Sequence, residues 1–128
     1  MYYLEIMLYE ITHVRQIPGE GFRRWFTDRD HDLVVWYPDR SADRIDGFQF
    51  SYDKKADEHA LTWTRERGYE HHRIDAGEVP YANKMSPVLV ADGIPDTRTL
   101  VGRFERISGE IEPQIRQFVR QKIASAGA

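Results

Sequence analysis

The sequence predicts an α+β domain: an antiparallel β-meander of about six strands, open or curled, with two C-terminal helices packed on one of its faces. Three observations carry that expectation. Runs of alternating or β-branched and aromatic residues fill the chain from Leu4 to Asp75. The connections between them are short, and short connections join antiparallel neighbours. From Asp96 onward the apolar spacing changes to a helical one, with Leu100, Val101, Phe104 and Ile107 on one face and Ile115, Phe118, Val119 and Ile123 on another.

Taken in order, Leu4, Ile6 and Leu8 alternate, and a first strand is expected to run to about Val14. Ile17-Pro18-Gly19-Glu20-Gly21 is turn chemistry, since Pro fixes φ and Gly accepts positive φ. Phe22–Thr27 reads as the second strand and His31–Tyr37 as the third. The third is apolar on both faces, which predicts a central strand covered on both sides. Arg44–Tyr52, Glu58–Thr64 and Tyr69–Asp75 follow as strands, and Pro87–Ala91 as a brief edge strand in a segment otherwise broken by Gly and Pro. Asp96 is a fitting N-cap for the first helix, which Ser108-Gly109 ends. Pro113 suits the first turn of the second.

A chain of 128 residues makes one domain, residues 1–128, with strands in 1–95 and a helical hairpin in 96–125. The absence of cysteine excludes disulfides, zinc–thiolate sites, iron–sulfur clusters and cysteine nucleophiles. The longest apolar runs, Leu33–Tyr37 and Val88–Ala91, fall far short of the roughly twenty residues a membrane span needs. The first ten residues carry no basic stretch and include Glu5, so they do not read as a signal peptide, and a cytoplasmic protein is expected. Residues 97–128 hold six basic against three acidic side chains on a chain of net charge −3. That is a solvated helix face rather than a nucleic-acid footprint.

Register decides which side chains the helices cover. With Tyr52 opposite Glu58 and Thr64 opposite Tyr69, Phe48, Phe50 and Tyr52 lie beside the small residues Ala60, Thr62 and Thr64, a face suited to receive helices. The second face then holds Gln49, His59, Leu61, Trp63, Glu70, His72 and Ile74, with Trp63 across from Gly47. His59 and His72 would be diagonal neighbours, and Glu70 could complete a two-histidine, one-carboxylate set. No His-x-His or His-x-x-x-His spacing supports a metal there, so neither a metal nor a cofactor is expected. Asp28, Asp30 and Asp32 lack the Gly and Glu of a calcium loop and read as turn acids. Gly19-Glu20-Gly21 precedes a strand instead of opening a helix, so it is no dinucleotide fingerprint. Lys54-Lys55 reads as turn solvation.

The expected function is a non-enzymatic binding or interaction module that self-associates, or takes a protein partner, through a sheet edge or the face around Trp63. The alternative is a small-molecule receptor or enzyme with a pocket on the same face, using Gln49, His59, Trp63, Glu70 and His72, with Arg24 and Lys84 at its rim. Neither a membrane nor a nucleic acid is an expected partner.

The strings Arg23-Arg24-Trp25-Phe26, Asp32-Leu-Val-Val-Trp36, Gly47-Phe-Gln-Phe-Ser-Tyr-Asp-Lys54, Ala60-Leu-Thr-Trp63 and Lys84-Met-Ser-Pro-Val-Leu-Val-Ala-Asp-Gly93 look like those of a family of small bacterial proteins to which no activity is attached. The resemblance covers most of the chain. It implies a stand-alone domain and carries no catalytic residues to transfer.

Overall fold

A computed structural model of the chain describes residues 7–75, 88–91, 93 and 95–127. Seven strands form one antiparallel sheet in the order of the chain: β1 (Tyr9–Glu10), β2 (Phe22–Thr27), β3 (Asp32–Tyr37), β4 (Gly47–Tyr52), β5 (His59–Thr64), β6 (Gly68–Asp75) and β7 (Val88–Ala91). The meander does not close on itself. Two helices follow, α1 (Thr97–Ile107) and α2 (Pro113–Ser125). The helix ends are those the sequence signals: Asp96 accepts from the Thr99 amide at 3.2 Å, and Pro113 opens α2.

Both helices pack on the face that carries Leu33, Val35, Tyr37, Phe48, Phe50, Leu61 and Trp63. Phe104 meets Phe50 edge-on at 5.5 Å, and Phe118 meets Trp63 at 5.4 Å. The Tyr69 hydroxyl donates to the Lys122 carbonyl at 2.7 Å, and the Leu8 amide donates to the carbonyl of Ile107 at 2.8 Å. Phe48, Phe50 and Tyr52 face the helices as expected.

Their neighbours differ from the expected ones, because both hairpins are out by one residue. Tyr52 pairs with His59, and Thr64 pairs with Gly68. In the second hairpin Gly68 takes φ +76, leaving a three-residue loop, Arg65-Glu66-Arg67, whose last amide donates to Thr64 Oγ1 at 3.0 Å. A glycine in the left-handed region lets a three-residue loop close, where a tighter turn would put Tyr69 opposite Thr64. In the first hairpin Asp53 adopts φ +55 and the loop takes six residues, Asp53–Glu58. A slip of one exchanges faces along a strand. Leu61 and Trp63 therefore lie under the helices, and Ala60, Thr62 and Thr64 lie on the opposite face.

Two smaller expectations also change. β3 is covered on one side only: Leu33, Val35 and Tyr37 are buried, while Val34 and Trp36 are half-buried. Within the described residues the first strand is two residues long, and after the Ile11 amide donates to the Trp25 carbonyl the main chain stops pairing. The Gln16 side chain takes over. Its Nε2 donates to the Arg23 carbonyl and its Oε1 accepts from the Arg23 amide, both at 2.9 Å, as a strand would. Leu4 and Ile6 of the expected strand lie outside the described residues.

Candidate functional site on the open sheet face

Neither helix packs on the second face. Cross-strand pairing orders it in rows. Thr27, Asp32, Ser51, Ala60 and His72 form one; Trp25, Val34, Gln49, Thr62 and Glu70 form the next; Arg23, Trp36, Gly47, Thr64 and Gly68 form the third. The middle of the face is made of small side chains, and Ser51 and Ala60 are buried there. Trp25 and Trp36 stand on the β2–β3 side, with the Arg23 guanidinium 5.8 Å from the Trp25 ring. Thr62 donates to Gln49 Oε1 at 3.3 Å.

At one end of this face sits a charged cluster. Thr27 Oγ1 donates to Asp32 Oδ1 at 2.6 Å, and Lys54 Nζ donates to the same oxygen at 3.0 Å. The Asp32 and Lys54 side chains are each only 23% exposed, so this pair is less screened than a surface ion pair. Glu58 completes the cluster. Burial pushes its carboxyl above the ordinary 4.5, the negative charge of Asp32 pushes it further, and Lys54 opposes both. Where the folded state holds this proton more tightly than the unfolded chain, stability falls as pH rises through the window above 4.5. Glu58→Gln, which mimics the protonated form, is therefore expected to raise the midpoint of thermal unfolding at neutral pH. Well below 4.5 it should leave the midpoint unchanged, a comparison that calorimetry at two pH values makes directly.

Trp25 supplies the other notable group. Its indole nitrogen is enclosed and, among the described residues, has no acceptor.

Of the residues singled out from the sequence, Gln49, Glu70 and His72 lie on this face. His59 and Trp63 do not, a consequence of the hairpin register. Trp63 is 7% exposed, stacked on Phe48 and met edge-on by Phe118, with Lys122 Nζ 4.3 Å from its ring. His59 stacks on Tyr52 at 5.4 Å and lies 3.2 Å from an Asp57 carboxylate oxygen. The His59–His72–Glu70 metal set is thereby taken apart, with His59 on one face and the other two on the opposite one. His71 takes the place next to His59: their rings stack at 5.8 Å, and its Nε2 lies 2.6 Å from the Tyr52 hydroxyl. Among the described residues no group of three His, Asp or Glu side chains could hold a metal. Arg24 is a clamp between elements, paired with Glu10 at 2.6 Å and Glu112 of the α2 N-cap at 2.7 Å, and these carboxylates raise its already high pKa further. Lys84 lies outside the described residues.

From the sequence Asp32 reads as a turn acid and Lys54 as turn solvation, and Thr27, Glu58 and Trp25 are not singled out. One signal was present: an Asp that opens an apolar strand in phase with Val34 and Trp36 shares their face, where a carboxylate needs a partner.

Fold and site together define an α+β domain in which a helical hairpin closes one face of an open meander and leaves a polar, tryptophan-flanked face on the other. Comparison with protein-family models, curated proteins and solved structures gave no match.

Proposed function

We propose that this chain is a small-molecule-binding domain whose ligand rests on the open sheet face. The observation that carries the reading is the Thr27–Asp32–Lys54 cluster, largely withdrawn from solvent on a face that neither helix packs. Desolvated charges on a rigid strand are how binding sites orient polar ligands. Lys54 offers the cation, Gln49 and Thr62 a donor–acceptor pair, and Trp25 a flat ring on the same face. That set suits a compact, polar, ring-bearing molecule. A bacterial cytoplasm, which the cysteine-free composition fits, is the proposed setting.

The test is a screen of sugars, nucleosides and small carboxylic acids read by tryptophan fluorescence. At least one class is expected to change the emission saturably, and Lys54→Met to weaken it by about tenfold. No saturable change from any class, or equal affinity in the variant, would overturn the reading.

Self-association remains the second reading, supported by Trp36 and Val34 standing half-buried on the open face. Trp63 offers nothing to it from beneath α2. The β2 edge offers little, since Gln16 occupies the Arg23 amide and carbonyl. Light scattering that finds a monomer at high concentration removes this reading.

A further inference from the structure

At the end of the open face away from Lys54 lies a cavity of about 470 Å3. Trp36, Gly47 and Thr64 line it side by side on three neighbouring strands. Gly47 has no side chain, so the half-buried Trp36 indole has bare backbone beside it where another residue would stand. Asp46 belongs to the same lining, with Arg44 and Arg65. Arg44 Nε donates to Asp46 Oδ1 at 3.0 Å, and Arg65 Nε lies 3.6 Å from that oxygen. Arg65 is fixed there by a 2.7 Å bond from Nη2 to the Ile45 carbonyl.

The two ends of the face repeat one arrangement. At the first, Asp32 Oδ1 takes Thr27 and Lys54; at the second, Asp46 Oδ1 takes Arg44 and Arg65. Among the described residues the second oxygen of each carboxylate has no hydrogen-bond partner. Both side chains reach solvent, Asp32 at 23% and Asp46 at 36% exposed. Each end therefore offers an open acceptor beside cationic N–H donors. A hydroxyl uses both kinds of group, since it gives one proton and accepts at its lone pairs. Between the ends stand Trp25 and the Gln49–Thr62 pair. Asp32 and Trp36 are the first and fifth residues of β3, which sets their rows about 13 Å apart.

We propose that the ligand of the open face is a neutral oligosaccharide, a di- or trisaccharide lying lengthwise from the Asp32–Lys54 pair to the Trp36 cavity. This ligand class presupposes the open-face site proposed above and extends it along the strands. A molecule built of like units meets like chemistry at both ends. Its pyranose C–H faces cover tryptophan rings, while its hydroxyls bridge carboxylate and cation. Charge decides against ionic ligands. An anion meets Asp32 at one end and Asp46, Glu20 and Glu66 at the other, whereas a cation meets Lys54 or the two guanidiniums.

The experiment is calorimetric titration of the whole chain with maltotriose, cellotriose and xylotriose, with glucose and xylose, and with adenosine and benzoate. At least one trisaccharide should bind saturably and about tenfold more tightly than its own monosaccharide, because only the longer molecule reaches both ends. Trp36→Ala should weaken it by about tenfold, and so should Asp46→Asn, which keeps the side chain's size. Binding of adenosine or benzoate with no trisaccharide bound would overturn the oligosaccharide and leave the small-molecule reading standing. A monosaccharide bound as tightly as its trisaccharide, or affinity unchanged in both variants, would overturn the span to Trp36. No binding by any of these probes would overturn the oligosaccharide and the open-face site together.

Discussion

Phe104→Ala is expected to cost about 3–5 kcal/mol of stability, the range for truncating a fully enclosed aromatic side chain. Phe104 has no exposed surface and meets Phe50, itself fully buried at the centre of β4, at 82° between ring planes. It lies in the C-terminal half of α1 on the face turned to the sheet, so the cavity left behind opens at the helix–sheet boundary. Neither neighbour can fill it without shifting a backbone. Against a total of about 5–15 kcal/mol for a domain of this kind, the loss is about a fifth or more. Urea denaturation should show a lower midpoint with the same slope; a shift under about 1 kcal/mol would mean that α1 contributes little to closing the core.

Gly47→Ala is expected to destabilise by about 1–3 kcal/mol, a sign opposite to the usual one. Replacing a strand glycine by alanine ordinarily gains about 0.5–1 kcal/mol, because the unfolded chain loses freedom. At position 47 the added methyl would lie 2.7 Å from the Trp63 carbonyl oxygen and 3.3 Å from Thr64 Cα. Both are main-chain atoms of the neighbouring strand β5, so relief requires separating two central strands. The clash outweighs the entropy. The same denaturation experiment decides it, and a more stable variant would show that β4 and β5 can part locally at little cost.

Most of the architecture was legible because it depends on short-range chemistry. The α1 cap is settled by Asp96 and Thr99, three residues apart, and α2 by Pro113 and an apolar stripe. The strands followed from composition and from the turn residues between them. The candidate site was legible only in part, because it depends on register. Arg65-Glu66-Arg67-Gly68 fits a tight turn as readily as a three-residue loop closed by a left-handed glycine, and nothing local separates the two. The matching slip in the β4–β5 loop, which seats Tyr52 opposite His59, moves Trp63 beneath α2 and brings Thr62 to the open face. Gln49, Glu70 and His72 survived the slip, while His59 and Trp63 were exchanged. The Lys54–Asp32 pair joins positions 22 apart in sequence through the pairing of two strands, so composition could not announce it.

The six-residue connection between β4 and β5 is fastened on both sides of the sheet. Asp53 holds Arg103 of α1 and Asp57 holds His59, while Lys54 holds Asp32 on the open face and its amide donates to the Asp30 carbonyl at 3.2 Å. Surface connections normally accept extra residues with little harm. This one is stitched through like a seam: a residue added between Tyr52 and Glu58 would shift every later anchor by one and could not keep both sets of ties. Among the loops described, it is the one whose length is least free to drift.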